Sequence, residues 1–350
     1  MKKKVFILYL VLVISVSIVG CSQGSSSPND SENDWEQGNL VLYSSMTEND
    51  ITNLLEGFGE EYPDIDVEVV NGSAGELTAR IGAESNNPQG DIMWGGLSNS
   101  DGDVHSDLFE HWLSDHEDEV MDEYKSNNGY YNLDHLSSVV FAVNTDLEEE
   151  LGVEINGYED LLDPKLKGSI IISDPNSSSA AWNNISNIMS VYGNDTEESW
   201  NYIESLMKND IVISTSSSNA FKDVEVGEYV VGMTYEDGVS TLLKSGAENI
   251  KMVYPKEGSS ASAFGCAVIK DASNMEAAKA MVNYIMSKEG QNYLGEKLGT
   301  IRFTNRNAEY ETPYLPETSE VNWVDRDVDW LMENKESVLE KWNDLVQDIL

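Results

Sequence analysis

Basic side chains and cysteines are both scarce in this sequence. Its 350 residues include 21 lysines and arginines but 63 aspartates and glutamates, which gives a formal net charge of −42 at pH 7. So few cations exclude nucleic acid as a partner, because proteins bind a phosphate backbone through basic patches. The only cysteines are Cys21 and Cys266. Cys21 has a different predicted fate, described below, so no disulfide within the chain is expected and Cys266 is predicted to be a small buried residue.

Common catalytic motifs are also missing. The sequence contains no G-x-S-x-G, H-E-x-x-H, P-loop or G-x-G-x-x-G motif, each of which would indicate a defined chemistry. His105, His111 and His116 lie in an acidic stretch, but their spacings do not place two imidazoles one helical turn apart, as a zinc site on a helix needs. They are predicted to lie on a solvated helix face. We expect no catalytic residue, no bound metal and no cofactor.

The N-terminal apolar run, Val5–Val19, follows three lysines and is shorter than the ~20 residues that a membrane-spanning helix needs. This pattern predicts a secretory signal peptide over residues 1–20. The four residues that end in Cys21 resemble the lipobox of bacterial lipoproteins, which implies that Cys21 becomes the lipidated first residue; an uncleaved anchor is the alternative. Residues 21–38 are polar and aperiodic, which predicts a flexible tether.

Both alternatives place the folded part outside the cytoplasm. We expect it at the extracellular face of the cell membrane, anchored by the lipid on Cys21, or in the periplasm if the source is Gram-negative. The acidic residues are spread along the whole chain, which indicates a solvated surface adapted to salt, where repulsion is screened. A halophilic or salt-tolerant Gram-positive source is therefore expected.

Strand-like and helix-like segments alternate from Asn39 onward. Apolar runs at Leu40–Tyr43, Val67–Val70 and Asp91–Trp94 are separated by helical patterns that begin after Thr47 and Ser73, both suitable N-cap residues. This order, βαβαβ, predicts an α/β fold with mostly parallel sheets flanked by helices.

The alternation starts again after Ser138–Asn144 and ends at Ser260–Ile269, two runs that have an extended pattern. About 310 residues follow the leader and tether, enough for two domains at roughly 100–200 residues each. We predict a first lobe of residues 39–140 plus 262–350, and a second lobe of residues 141–261 inserted into it, with the two extended runs as hinge strands.

Serine-rich turns stand where strands give way to helices. They occur in the segments YSS (43–45), NGSAGEL (71–77), SDPNSSSAAWN (173–183) and STSSSNAF (214–221). Such serines have two possible roles. Serine is a preferred N-cap worth ~1 kcal/mol, and ligands of open α/β sheets bind beside helix N-termini at the carboxyl ends of strands. Ser44 and Ser45 precede Thr47, which can cap the helix, so their hydroxyls are candidates for binding an oxyanion.

The segment VGMTYEDG (231–238) places Tyr235, Glu236 and Asp237 at the end of a predicted strand. Carboxylates that face a cleft accept hydrogen bonds from sugar hydroxyls, pair with an ammonium or coordinate a hard cation; the alternative is a surface turn of an acidic protein. Arg302 is one of few cations and is a candidate for bidentate pairing with an anionic ligand, or for a salt bridge to a neighbouring acid.

Six stretches, taken in order, carry a family resemblance: "LVLYSSMTENDITNLLEGF", "EYPDIDVEVVNGSAGELTARIGAE", "PQGDIMWGG", "GYEDLLDPKLKGSIIISDPNSSSAAWN", "GEYVVGMTYEDG" and "VYPKEGSSA". Together they resemble the extracellular solute-binding proteins of ABC importers, in the branch that binds ferric iron, 2-aminoethylphosphonate and hexose phosphates. The resemblance implies a two-lobed Venus-flytrap of the type 2 periplasmic-binding-protein kind. It also implies a monomer without enzymatic activity that closes on a small ligand and delivers it to a membrane permease.

The resemblance implies a set of ligand-binding residues at matching positions: Ser44, Ser45, Ser73, Gly75, Ser177, Ser178, Ser179, Tyr235, Glu236 and Asp237. Relatives that bind ferric iron directly use two adjacent tyrosines, whereas this sequence has Tyr235 followed by Glu236. The departure favours an anionic organic ligand, such as a phosphorylated sugar or a phosphonate. Ferric iron held by Tyr235 and Glu236 is the alternative, and a secreted phosphate-ester hydrolase is the alternative of another class.

Overall fold

The computed structural model describes residues 38–101 and 103–350, without the side chain of Ser100. The predicted signal peptide, the lipidation site Cys21 and the tether up to residue 37 lie outside the described residues. Gly38, predicted as the last tether residue, already begins the first strand. Within the described part, every helix is too short or too polar to cross a membrane.

The elements of the described chain alternate between strand and helix. The strands are β1 (Gly38–Ser44), β2 (Ile65–Asn71), β3 (Ile92–Ser98), β4 (Asn132–Asn144), β5 (Ile170–Ser173), β6 (Val212–Ser214), β7 (Val231–Tyr235), β8 (Ile250–Val253), β9 (Ala261–Val268) and β10 (Arg302–Phe303). The helices are α1 (Glu48–Glu61), α2 (Ala74–Glu84), α3 (Thr145–Leu151), α4 (Ser179–Tyr192), α5 (Glu197–Lys208), α6 (Asn219–Glu225), α7 (Glu236–Lys244), α8 (Met275–Met286), α9 (Lys288–Leu298) and α10 (Val328–Ile349). Short 3₁₀ turns lie at Asn99–Asp101, Ser106–Leu108, Glu117–Glu119, Asp122–Tyr124, Glu159–Leu162, Pro164–Leu166 and Thr318–Glu320.

Local sequence signals account for the first elements. Thr47 caps α1 and Ser73 caps α2, each in a capping box with the residue three positions later, and such a box satisfies two of the amides that a helix start leaves without partners. Strand β1 pairs in parallel with β2 and β3. The predicted βαβαβ order is therefore confirmed. The histidine-containing stretch does not form the predicted helix, since the helical turns among the described residues between 99 and 124 are short 3₁₀ turns.

Strand β4 belongs to two sheets. Its first half, up to Ser138, pairs with β9 and β10, and its second half, from Val139, pairs with β7 and β8. The first sheet has the order β2-β1-β3-β9-β4, and the second continues β4-β7-β5-β6 with β5 parallel to both neighbours. The predicted hinge runs thus form β4 and β9, and each sheet with its helices makes one lobe.

Helix α10 corrects the predicted lobe boundary. The sequence predicted residues 262–350 in the first lobe, but Leu331, Val338 and Trp342 are buried in the core of the second lobe, together with residues of α4 and α5. The amphipathic stripe of α10 was recognisable, but a stripe does not specify which apolar surface it covers. The apolar face of the C-terminal helix therefore packs on the inserted lobe, while Lys335 of the same helix pairs with Asp101 of the first lobe at 2.7 Å.

The packing of α10 is testable by replacing Trp342, which is 1% exposed. Trp342→Ala should lower the free energy of unfolding by about 3–5 kcal/mol, because it removes a large buried side chain and leaves a cavity. Urea denaturation of the full-length protein measures this loss. Glu336→Ala on the exposed face of the same helix should change it by less than about 0.5 kcal/mol. A Trp342→Ala loss as small as that of the control would contradict the packing.

Candidate ligand-binding site

A cavity of about 110 Å³ lies between the two lobes, where strands from both sheets end. Turns after β1 and β2 and part of β3 line it from the first lobe, and the starts of α4 and α7 line it from the second. The lining residues are Ser45, Met46, Thr47, Asp50, Ser73, Ala74, Gly96, His135, Leu136, Ser137, Ser178, Ser179, Ala180, Ser217, Tyr235, Asp237 and Phe264. This is the place where open α/β sheets bind ligands.

The two serines at the end of β1 have different positions: Ser44 is buried in the turn, and Ser45 lines the cavity. Ser44 is fully buried; its hydroxyl donates to the Trp94 carbonyl at 3.1 Å and accepts from the Met46 amide at 3.2 Å. Ser45 lines the cavity. Thr47 caps α1 through the Asp50 amide, as its position predicts. Ser44 thus holds the turn that presents Ser45, and it lies outside the cavity lining.

Ser73 both caps a helix and lines the cavity. Its hydroxyl accepts from the Glu76 amide at 3.3 Å and donates to Glu76 Oε2 at 2.8 Å. The Ser73 amide, which donates to the same oxygen at 3.0 Å, and the Ser73 hydroxyl lower the pKa of Glu76. Gly75 lies two residues further, beside the backbone of Ser177 from the other lobe. Gly75 and Ser177 line a smaller neighbouring pocket rather than the main cavity. The two predicted serine turns therefore meet across the cleft.

The start of α4 brings Ser178 and Ser179 to the cavity. Ser178 caps the helix by accepting from the Ala181 amide at 3.1 Å, and its hydroxyl lies 2.7 Å from that of Ser217. Ser179 donates to the Gly96 carbonyl of the first lobe at 3.1 Å. No acidic residue occupies the first turn of α4, whereas the first turns of α1, α2 and α7 all carry one. The positive end of the α4 dipole is therefore not neutralised by its own helix.

Two carboxyl groups from opposite lobes line the same cavity. Asp50 of α1 is fully buried and Asp237 of α7 is 9% exposed. Burial raises the pKa of both groups, and the charge of Asp50 raises that of Asp237 further. Tyr235 also lines the cavity, and burial, Asp237 and Asp50 raise the pKa of its phenol. This end of the cavity therefore favours protonated or hydrogen-bonded carboxyls over free carboxylates.

Glu236 and Arg302 lie outside the cavity lining and pair with each other. The Arg302 guanidinium donates from Nε to both Glu236 oxygens, at 3.1 and 3.2 Å, and the Tyr254 hydroxyl donates to Oε1. Arg302 also donates to the Pro316 carbonyl at 2.7 Å. Of the two roles predicted for Arg302, the structure has the salt bridge to an acid. The same salt bridge engages the Glu236 carboxylate, so that Glu236 links α7 to β10.

Several lining residues were not predicted as site residues. His135 lies 2.9 Å from Asp134 through its Nδ1, and Ser137, two positions later, lies in the same strand. From the sequence, Asp50 is recognisable only as the last residue of a capping box, T-x-x-D. Ser217 belongs to the serine-rich turn at residues 214–221, in which the sequence alone singles out no residue. The contribution of His135 depends on the pairing of β4, which no local signal reveals.

The donor set gives little support to a bound metal ion. No group of three or more histidine, cysteine or carboxylate side chains in the described part of the chain is arranged to hold one. Ferric iron is bound by ionised phenols and carboxylates, and the raised pKa of Tyr235 opposes ionisation of its phenol. Glu236 is already held by Arg302. The alternative of iron held by Tyr235 and Glu236 therefore lacks a free second ligand.

A family model described as "Bacterial extracellular solute-binding protein" matches residues 53–314. Among curated relatives, an uncharacterized protein of Haemophilus influenzae is 25% identical over 315 residues, which cover 87% of this chain and 90% of the relative. Iron uptake protein A1 of Synechocystis is 25% identical over 313 residues and covers 82% of each chain.

Solved structures resemble the chain over most of its length. The periplasmic binding protein AfuA of Actinobacillus pleuropneumoniae, solved with fructose-6-phosphate bound, is 29% identical with a TM-score of 0.78; the match covers 89% of this chain and 99% of AfuA. Iron-bound HitA of Pseudomonas aeruginosa, at 21% identity and a TM-score of 0.72 over 88% of this chain and 99% of HitA, shares the fold. The two-lobed type 2 architecture is confirmed. The hydrolase alternative is wrong, because the family that matches residues 53–314 is one of solute-binding proteins.

The buried carboxyl of Asp237 predicts a pH dependence of stability. Because its pKa in the folded protein lies above the usual 3.8, the folded state keeps a proton that the unfolded state loses. Its contribution to stability is complete below pH 3.8 and is lost as the pH rises toward the raised pKa. Asp237→Asn cannot ionise, so the ligand-free variant should melt at a higher temperature than the wild type at pH 7 and show a smaller difference near pH 4.

Melting temperatures of both full-length proteins between pH 4 and pH 8, at one salt concentration, measure this difference. An Asp237→Asn variant that melts lower than the wild type at pH 7, by an amount independent of pH, would show that Asp237 makes favourable contacts in its charged form.

Proposed function

The chain belongs to the bacterial extracellular solute-binding proteins, and we propose that its ligand is an anionic small molecule, such as a phosphorylated sugar or a phosphonate. As a solute-binding protein of an ABC transporter, it binds a small ligand and delivers it to the permease. The anion would bind in the cavity between the lobes.

The start of α4 is the observation that carries this proposal. The amides of Ser179 and Ala180, the first two helical residues, have no acceptor within the helix, and both residues line the cavity. Their dipole is not offset by a first-turn carboxylate. Helix N-termini of this kind bind phosphate and carboxylate groups through backbone amides. The Ser178 hydroxyl adds a further donor when the Ser217 hydroxyl donates to it, whereas the Ser179 hydroxyl already donates to the Gly96 carbonyl.

The first lobe supplies the Ser45 hydroxyl as a donor opposite α4. Ser45 and Ser73 line the cavity from that side, but the hydroxyl and the amide of Ser73 both donate to Glu76. Neither lysine nor arginine is present among the described residues that line it, so the proposed anion is held by neutral donors rather than by cations. Such a set suits a chain that has 21 basic residues in all.

The relatives support an anionic organic ligand more than iron. AfuA, the solved relative at 29% identity, was crystallised with fructose-6-phosphate, whereas iron-bound HitA is only 21% identical. Iron uptake protein A1 has an iron-related name at 25% identity. The pairing of Glu236 with Arg302 makes Glu236 unavailable as a second iron ligand beside Tyr235, which favours the organic anion. We further propose that a lipid on Cys21 anchors the protein, as a monomer, at the extracellular face of the membrane.

A thermal-shift panel tests the ligand class on the full-length protein at matched salt. A ligand stabilises the folded state by RT ln(1 + [L]/Kd), about 2.7 kcal/mol when its concentration is 100 times Kd. Fructose 6-phosphate or 2-aminoethylphosphonate should raise the melting temperature, and sodium chloride at the same ionic strength should not. If Fe(III)-citrate raises it while both phosphorus compounds have no effect, the anionic proposal is wrong and the iron alternative takes its place.

Ser44 and Ser45 form a matched pair for a second test. Ser45→Ala should weaken binding of the stabilising compound about tenfold, the value of one hydrogen bond to a charged group, with little change in the ligand-free melting temperature. Ser44→Ala should do the opposite and cost about 1–2 kcal/mol of stability, because the Trp94 carbonyl and the Met46 amide lose their buried partner. Titration calorimetry and urea denaturation measure the two effects. Equal effects on binding would contradict the assignment.

A further inference from the structure

The carboxyl pair in the cavity has hydrogen-bonding capacity that the protein leaves unused. Asp50 accepts from Thr47 through Oδ2, at 3.1 Å from the amide and 2.7 Å from the hydroxyl, while its Oδ1 is buried without a partner. Asp237 Oδ1 is likewise buried without a partner. Both residues line the cavity. A buried polar oxygen without a donor costs free energy, so each of these oxygens is suited to a donor from a ligand.

The groups around the pair do not supply that donor. The hydroxyls of Thr241 and Thr300 lie beside Asp237, but neither forms a hydrogen bond of regular geometry to Oδ1. His135 is the basic group nearest to Asp50 that also lines the cavity, and its Nδ1 is engaged with Asp134. Lys244 contributes its charge from a distance, since its Nζ donates to the carbonyls of α9. Neither carboxyl therefore forms a salt bridge with a cation of the described chain, although Asp50 is close enough for its charge to raise the pKa of Asp237.

The cavity consequently has two polar sides, one that offers hydrogen-bond donors and one that offers acceptors. The α4 side offers amides and hydroxyls without a first-turn acid, and the α1 and α7 side offers acceptor oxygens. An inorganic anion uses only the first side. A molecule that carries an anion at one end and hydroxyl or ammonium donors at the other uses both.

We propose that Asp50 and Asp237, one from each lobe, determine specificity by accepting hydrogen bonds from donor groups on the ligand at the end remote from its anion. This inference rests on the proposed function, since it describes the second half of the same cavity. A ligand that lacks those donors leaves two carboxyls unsatisfied and close together when the lobes enclose it. Sites built around such buried polar groups reject analogues that lack the matching donor more strongly than they reject changes in size.

Two pairs of probes test the donor requirement by titration calorimetry. Fructose 6-phosphate is compared with n-butyl phosphate, and 2-aminoethylphosphonate with n-propylphosphonate, so that the anion is kept and the donors are removed. The full-length wild-type protein should bind the donor-bearing member of at least one pair about tenfold or more tightly. The pair that shows this preference identifies the donor as hydroxyl or ammonium.

Asp50→Asn and Asp237→Asn should each reduce that preference about tenfold, because an amide keeps a similar shape but presents an NH2 donor in place of one of the two oxygens. Asparagine at position 50 can still accept from Thr47, so the cap is retained. Glu48→Gln is the matched control: it also removes a negative charge from the first turn of α1, but Glu48 is exposed and outside the cavity. This control should leave the preference within twofold of the wild type. Melting curves confirm that each variant is folded.

Three results would overturn the inference in distinguishable ways. If the wild type binds the donor-free members as tightly as the donor-bearing ones, the cavity does not require donors. If either aspartate variant keeps the wild-type preference, or the control loses it as well, the carboxyl pair is not its source. If the wild type binds none of the four phosphorus compounds, the proposed function fails and this inference fails with it.

Discussion

The continuity of β4 is the constraint on which the site depends. One strand pairs with the first sheet up to Ser138 and with the second from Val139, so the two lobes share a backbone segment that neither can leave without breaking hydrogen bonds. The shared strand brings the carboxyl ends of β1 and β7 to opposite sides of one cavity. Ser259 strengthens the crossing, since its buried hydroxyl donates to the Val139 carbonyl at 2.6 Å. In hinge closure of two lobes, a few residues at the connection absorb the change in φ and ψ.

Helix α7 joins ligand contact to lobe contact. Asp237 lines the cavity, while its neighbour Glu236 binds Arg302 and, one turn later, Ser240 donates to the Thr300 carbonyl at 3.1 Å. Adjacent residues on a helix point about 100° apart, so one turn of α7 serves two surfaces at once. A ligand that interacts with Asp237 therefore acts on the helix that also carries the contacts between lobes. Differential contacts of this kind are what allow a ligand to shift a conformational equilibrium.

The sequence predicted what short-range signals encode. Strand order, the caps Thr47 and Ser73, and the serine turns all follow from periodicity and from helix starts, and the structure contains them. The sequence did not show which of Ser44 and Ser45, or which of Glu236 and Asp237, lines the cavity. Adjacent side chains point in different directions, and packing fixes those directions. Nor did the sequence assign α10 to a lobe, since an apolar stripe does not name its partner. The ligand roles of the lining residues stay predictions.

The negative charge of the whole chain repels anions, whereas the proposed site binds one. The two are compatible because they act over different distances. A formal charge of −42 repels anions at long range, but salt confines that effect to about 8–10 Å at 0.1–0.15 M ionic strength. Inside the cavity, the proposed donors are the amides at the start of α4 and the Ser45 hydroxyl, which would act over hydrogen-bonding distances that salt screens far less. Neutral donors also leave the acidic surface free to vary. An acidic protein of this fold can therefore bind an anion without a basic patch, provided that helix ends rather than side-chain cations form the site.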